Sequence, residues 1–506
     1  MTEVVTMTAG FPLISLMLLT LPLGVLLIWA VPNPRKARWI ALMTVLLNLG
    51  LALALVWRFD STEPGFQLVE QAGWIPTLNT QYLVGVDGIS VLFLPLTVLL
   101  FIAVIVASWT SIRSMPRLYY SLLLLLYGAT LGVFCSLDLI LFFSFWELTL
   151  IPLYFLISLW GPGPQRRYAA VKYTLFMLAG GVPLLFGFLL LAFNHADLSG
   201  AGIPEGLIWD YRKLLDTPLP DSAEITVFLL LLLGFAVKTP LFPLHTWLPV
   251  VSMEGPASVA ALMTGLKLGA YGLIRFTVPL APSAAQEFHW LLAGLSVIGI
   301  LYGALAAMAQ TNLRRMLAYA SMSHVGLVVL GIASFSLPGV QGALFQLLNF
   351  TLVAGGLFLM IGFLHHRLGS TDLIGLGGVG RSMPLLAGFF FLFALTSLGV
   401  PGTSGFPAEL LILMAALLSH TGAGLAALFA MVLGAAYVLG SYRRTFFGPL
   451  KSRVVAEVVD LHQRELLVVV VFTLLILLAG LYPSLVLDAT REASALWVQR
   501  LGLPAH

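Results

Sequence analysis

The chain has 506 residues, of which 59% are hydrophobic and only 9% charged, with a formal net charge of +3 and a mean hydropathy of +1.01. Soluble domains carry about 25% charged residues, so a water-soluble core is excluded and the composition requires an integral membrane protein. The small, dispersed charge offers no footprint for nucleic acid, and a single cysteine, Cys135, excludes a disulfide framework, an iron–sulfur centre and a Cys-type zinc site within the chain.

Apolar runs of spanning length fall at 11–31, 38–57, 89–110, 119–135, 137–159, 170–194, 224–249, 256–277, 289–309, 315–334, 340–364, 383–418, 421–447 and 465–486. They are continuously apolar rather than alternating, which predicts an all-α fold of about fourteen transmembrane helices and not a barrel. No basic n-region or A-x-A site precedes the first run, so it reads as a retained helix and Cys135 as a buried structural thiol.

Lysine and arginine collect on alternate loops: Arg35, Lys36 and Arg38; Arg113 and Arg117; Arg166, Arg167 and Lys172; Arg314 and Arg315; Arg367 and Arg381; then Arg443, Arg444, Lys451, Arg453 and Arg464. That side holds 17 of the 25 basic residues and the other six, with Lys238 and Lys267 inside spans. The positive-inside bias makes the first side cytoplasmic, and the even helix count puts both termini on the opposite side. The long non-cytoplasmic loops, 58–88 and 195–223, carry Asp60, Glu63, Glu70, Asp197, Glu205, Asp210, Asp216 and Asp221 and read as ordinary solvated loops. The glycine-rich stretch 374–380 lacks the strand-to-helix context of a dinucleotide site, so no NAD or flavin is expected to bind this chain.

Few ionisable residues survive inside the spans. Glu147 lies in FFSFWELTLIPLY, Lys238 in GFAVKTPLFPLHTWLP, Lys267 in ALMTGLKLGAYGLIRF, His324 in AYASMSHVGLVVLG and Glu409 in GVPGTSGFPAELLIL. An ion in hydrocarbon must pair, find water or give up its charge, so a site whose protonation depends on a nearby partner suits proton translocation. Static buried ion pairs, lysine snorkelling (for Lys267) and a satisfied core histidine (for His324) are the structural alternatives. His245 reads either as a relay member or as a cap for freed carbonyls.

Two spans are interrupted, the seventh at Pro240 and Pro243 and the twelfth at GVPGTSGFP (399–407). Broken helices persist at membrane depth only where protein or a water-filled cavity satisfies the backbone. Five helices separate the breaks, and an odd offset inverts the second copy, so helices 4–8 and 9–13 read as an inverted repeat with Lys238 and Glu409 in equivalent places. The resulting division is a three-helix region (1–110), a first repeat (111–277), a second repeat (278–447) and a C-terminal loop, helix 14 and tail (448–506).

YLVGVDGIS (82–90), FWELTLIPLYFLI (145–157), FAVKTPLFPLHTWLP (235–249), GLKLGAYGLIRF (265–276), RRMLAYASMSHVG (314–326) and LGVPGTSGFPAEL (398–410) resemble the antiporter-like proton-channel subunits of respiratory complex I. The overall pattern is most similar to the chain 4 type, including its cyanobacterial NDH form; no long C-terminal lateral helix of the chain 5 type is expected. The resemblance implies a Glu–Lys pair (Glu147, Lys238), a central lysine (Lys267), a helix-ten histidine (His324) and a terminal ionisable residue (Glu409), all moving protons. It implies a redox-driven translocase whose iron–sulfur clusters and quinone lie in partner subunits, with no cofactor or metal in this chain. It also implies an adjacent antiporter-like subunit and a cyanobacterial thylakoid or bacterial inner membrane.

The family's Asp-Ala-His after HTWLP is replaced by the shorter VVSMEGP (250–256), and its helix-eleven Asn-His is here Asn349-Phe350. These departures fit the variant subunits of CO2-uptake complexes. An Mrp-type cation/proton antiporter subunit shares the same motifs, and an inactive structural subunit is the third reading; five retained intramembrane ionisable residues argue against the last.

Overall fold

The computed structural model describes residues 11–451 and 453–502, so both chain termini, whose side was expected from the helix count, lie outside the described residues. Every expected span is helical. In chain order they are α1 (Leu13–Ala30), α2 (Ala37–Arg58), α3 (Phe93–Ala107), α4 (Pro116–Cys135), α5 (Leu139–Trp160), α6 (Arg166–Ser199) and α7 (Asp221–Lys238, resuming as Trp247–Glu254). Then follow α8 (Ala257–Thr277), α9 (His289–Met308), α10 (Leu313–Ala333), α11 (Leu337–Leu368), α12 (Pro384–Thr396, resuming as Gly405–Ser419), α13 (Thr421–Phe446) and α14 (Gln463–Leu481). Among the described residues, eleven helices are long and apolar enough to cross a membrane; α3 and the two halves of α12 are shorter apolar helices.

The loops cluster on two faces in the alternation the basic residues predict. On the basic face Arg38 donates to Trp109 O, Trp160 to Ser114 O, Gly163 N to Glu254 O, Leu313 N to Thr371 O and Arg464 to Thr110. On the opposite face Asn79 donates to Leu207 O, Leu139 N to Trp209 O and Gln286 to Leu501 O.

Two elements correct the sequence reading. The segment 58–88 is not a plain solvated loop: β1 (Gln67–Ile75) and β2 (Thr80–Val86) form an antiparallel hairpin, turned at Asn79 in the left-handed region. β2 is an apolar, valine-rich run whose far end is buried, and Leu83 O accepts from Leu137 N. Its acids have partners too: Glu70 accepts from Ile14 N at 2.8 Å and Ser15 N at 2.9 Å, capping α1. The expected C-terminal tail is α15 (Ser484–Arg500), whose Thr490, Ala493, Ser494, Trp497 and Val498 face the bundle at helical spacing. Trp497 donates to Ile274 O at 2.8 Å, and Arg500 pairs with Asp216.

Interruptions are also more frequent than the two expected. α8 breaks between Gly265 and Leu268, and α5 is interrupted at Thr149. Freed carbonyls at two of the breaks find partners, as membrane depth demands. Trp247 donates to Val237 O at 2.9 Å in α7, and Thr351 of α11 donates to Gly265 O at 3.1 Å in α8.

Candidate functional site: a row of ionisable residues at helix breaks

The five predicted residues sit on α5, α7, α8, α10 and α12, and four of them lie at or near an interruption. Glu147 is two residues from Thr149, Lys238 ends the first half of α7, Lys267 stands in the gap of α8, and Glu409 lies in the first turns after the α12 break. An irregular helix leaves room and unpaired dipoles for a polar side chain and water, which a continuous helix does not.

At the first station the expected Glu147–Lys238 ion pair is not formed. The Lys238 ammonium donates to Thr149 Oγ1 at 2.8 Å and Trp146 O at 3.4 Å, and lies 3.9 Å from the Trp146 ring centroid. Glu147 turns toward α6, where Oε1 lies against Gly181 and has no hydrogen-bond partner. Both charges thus border the α5–α6–α7 junction, with Lys238 held by neutral groups and one carboxylate oxygen open. From Lys238 a cavity of about 40 Å³ (space for the centres of water molecules) extends past Thr149, Tyr173 and Trp247 to Leu266 and Leu268, the residues flanking Lys267.

At the second station Lys267 is buried, and its ammonium donates to Ser321 Oγ at 2.6 Å. Buried at 4% exposure, Lys267 does not snorkel. Ser321 and His324 are three residues apart, and so neighbours on one face of α10. A second cavity of about 40 Å³ is lined by Ser321, His324, Gln346, Asn349 and Phe350. The Phe350 ring borders this space between the two groups, 5.5 Å from Lys267 Nζ and 6.4 Å from the His324 ring, centroid to centroid in the latter case.

At the third station His324 Nδ1 approaches Glu409 Oε1 at 3.5 Å. Gln346 donates to the same oxygen at 3.5 Å, Asn349 donates to Gln346 Oε1 at 3.2 Å, and Ser404 donates to Asn349 Oδ1 at 2.6 Å. Glu409 Oε2 has no hydrogen-bond partner and lies against Gly399, whose positive φ of 63° suits the α12 break to glycine. A cavity of about 20 Å³ joins His324 and Glu409 to Tyr437 of α13. A water needs roughly 10–15 Å³ of such space, so the first two cavities have room for about three or four each and the third for about one or two.

His245 stands apart. Its ring packs on Phe242 (5.7 Å), Tyr302 (5.1 Å) and Tyr319 (6.3 Å), Nδ1 has no partner, and the freed Val237 carbonyl is capped by Trp247 rather than by this histidine.

Sequence reasoning missed Thr149, Ser321, Gln346 and Ser404, which hold the ionisable groups but carry no charge to flag them. It also passed over Asp87 in YLVGVDGIS and Arg275 in GLKLGAYGLIRF, a buried ion pair that ties the hairpin to α8 through Asp87 Oδ2 and Arg275 Nη1 at 2.6 Å. Here the signal was present: a charged residue in each of two apolar stretches.

Comparison with known proteins places this geometry. The family model described as "NADH:quinone oxidoreductase/Mrp antiporter, TM" matches residues 136–434, which contain all five members of the row. The chain is 38% identical over 487 residues to "NAD(P)H-quinone oxidoreductase chain 4 1" of Synechococcus sp. (strain JA-3-3Ab), covering 94% of this chain and 90% of the relative. It is 36% identical over 476 residues to "NADH-quinone oxidoreductase subunit M" of Escherichia coli (strain K12), covering 90% and 91%. A chain of respiratory complex I from Thermus thermophilus with bound NADH superposes with a TM-score of 0.87 at 32% identity, covering 97% of this chain and all of that one. The Mrp complex from Dietzia sp. DQ12-45-1b shares the fold, with a TM-score of 0.79 at 23% identity over 96% of this chain and 51% of that one.

Proposed function

The chain belongs to the NADH:quinone oxidoreductase/Mrp antiporter transmembrane family, and on that premise we propose that it is a proton-translocating membrane subunit of a complex I-type quinone oxidoreductase. In this reading it carries no redox chemistry. Iron–sulfur clusters and quinone belong to partner subunits, and this subunit couples their reaction to proton movement across a bacterial inner or thylakoid membrane.

The observation that carries the proposal is the row itself: Lys238, Lys267, His324 and Glu409, with a water-sized cavity running from Lys238 to the neighbours of Lys267, a second between Ser321 and His324, and a third between His324 and Glu409. Water at the α7 break admits a proton from the basic face to Lys267. A change in the distance between Glu147 and Lys238 changes how readily the ammonium of Lys238 holds its proton, and Lys238 passes it through the first cavity to Lys267. Ser321 and a water in the second cavity carry it to His324, and His324 delivers it to Glu409, which releases it on the opposite face. That Lys238 rests on Thr149 rather than on Glu147 supports a reading in which the two charges can separate. Of the two breaks the sequence predicts, the proposed inverted halves, 111–277 and 278–447, hold one each, that of α7 and that of α12.

Replacing Lys238 by Met in the assembled complex tests the proposal. Proton translocation per quinone reduced is expected to fall, with the complex still assembled; unchanged coupling refutes the role of Lys238.

A finer reading, specialisation for CO2 uptake, is supported by Phe350 in place of a titratable group and by the altered turn 250–256. In the structure residues 250–254 of that segment are helical, and the Glu254 side chain accepts from Gln165 N at 2.7 Å. Copurification with a soluble zinc-binding subunit associated with CO2 hydration is its test. Copurification without redox subunits would instead favour the Mrp-type antiporter reading.

A further inference from the structure

On the basic face, several arginines are spent on the protein itself. Arg38 and Arg117 donate to the carbonyls of Trp109 and of Val31 and Pro32, Arg166 to that of Gly161, Arg314 to that of Gly255, and Arg367 to the Glu465 carboxylate. The guanidinium groups of Arg443 and Arg444, in the last turn of α13, have no hydrogen bond or ion pair among the described residues. They line, with Lys451, an open cavity of about 640 Å³ between the end of α13 and the 371–378 loop.

The chain builds this hollow from both sides. Gly378 N donates to Phe447 O at 3.0 Å, and Lys451 Nζ donates to Ile374 O at 2.8 Å, which holds the ammonium at the rim with two of its three N–H groups unspent. Among the described residues, no carboxylate lines it. The acid in the loop, Asp372, turns Oδ1 to its own backbone at Ile374 N, 3.2 Å away. Thr311 adds a hydroxyl to the lining. Bulky apolar side chains also line it, Ile374 at 69% and Phe447 at 60% exposure, at the level where a membrane helix ends. Convergent cations beside exposed apolar side chains match an amphiphile with an anionic head, because guanidinium forks bind phosphate oxygens while the apolar groups cover the glycerol and upper acyl chain.

We infer that the Arg443–Arg444–Lys451 hollow is a binding site for the phosphate head of an anionic phospholipid from the basic-face leaflet. A free inorganic anion would use the cations but not the apolar rim, and that difference separates the two sources.

The test uses the assembled complex, stripped of lipid and returned to nanodiscs of phosphatidylglycerol or of phosphatidylcholine, with bound lipid counted by native mass spectrometry. The wild-type complex is expected to retain phosphatidylglycerol at least about tenfold better than phosphatidylcholine. Arg443→Gln with Arg444→Gln is expected to lower the count by one phosphatidylglycerol per complex while quinone reduction persists. Lys451→Gln, on an exposed connection, gives a weaker loss and serves if the double variant does not assemble. Unchanged retention in these variants, equal retention of the two lipids, or release of phosphatidylglycerol by millimolar inorganic phosphate overturns the inference.

Discussion

Ser321 is the residue on which the proposed middle of the path turns. It supplies the hydrogen-bond acceptor for Lys267 Nζ, at 2.6 Å, in a site where the lysine is 4% exposed. A hydrogen bond to a charged group contributes about 1.5–3 kcal/mol. Ser321→Ala therefore disfavours the protonated state of Lys267 by that amount, while the Phe350 ring, 5.5 Å away, remains as its cation–π partner. The ratio of charged to neutral Lys267 falls by roughly 10- to 150-fold, and a path routed through the charged state slows by up to that factor. The assay is proton uptake in proteoliposomes against quinone reduction, with Ser321→Thr as the control that keeps the hydroxyl. Full pumping by Ser321→Ala in an assembled complex would refute the routing through protonated Lys267.

Two further outcomes follow from other contacts. Arg275→Met strands the buried Asp87 carboxylate, and removing one partner of such a pair costs about 3–5 kcal/mol, so the thermal midpoint of the complex should fall; the double change with Asp87→Asn should recover much of it. At the connection between α12 and α13, burial first and the neighbouring His289 second hold the His420 imidazole below its ordinary 6.5. The unfolded chain then binds that proton more readily. The contribution of the His289–His420 contact (Nδ1 to Nε2, 2.8 Å) is full above about pH 6.5 and is lost as the pH falls through the lowered value. His420→Gln should flatten this part of the stability–pH curve measured by thermal unfolding.

Membrane class, the order of the spans, the clustering of loops on two faces and the identity of the ionisable row were all legible in the sequence. Each depends on a local property, since apolar length, loop charge and a charge inside a span carry their cost wherever the chain goes. The breaks at Pro240 and Gly399 were legible for the same reason. The α8 break at Lys267 was not, because its cause is tertiary: Thr351, 86 residues away, accepts the task of satisfying Gly265 O.

Partner choice was likewise beyond the sequence. Nothing local says that Lys238 settles on Thr149 while Glu147 turns to Gly181, that Ser321 holds Lys267, or that Gln346, Asn349 and Ser404 form a neutral ladder to Glu409. Uncharged hydroxyls and amides are common in any sequence and join such a row only by proximity. The hairpin 67–86 and α15 were misread as loop and tail because their burial is supplied by α4, α8 and α11 rather than by their own composition. The sequence alone determined which charges enter the membrane; the packing of helices decided which neutral groups and cavities adjoin those charges.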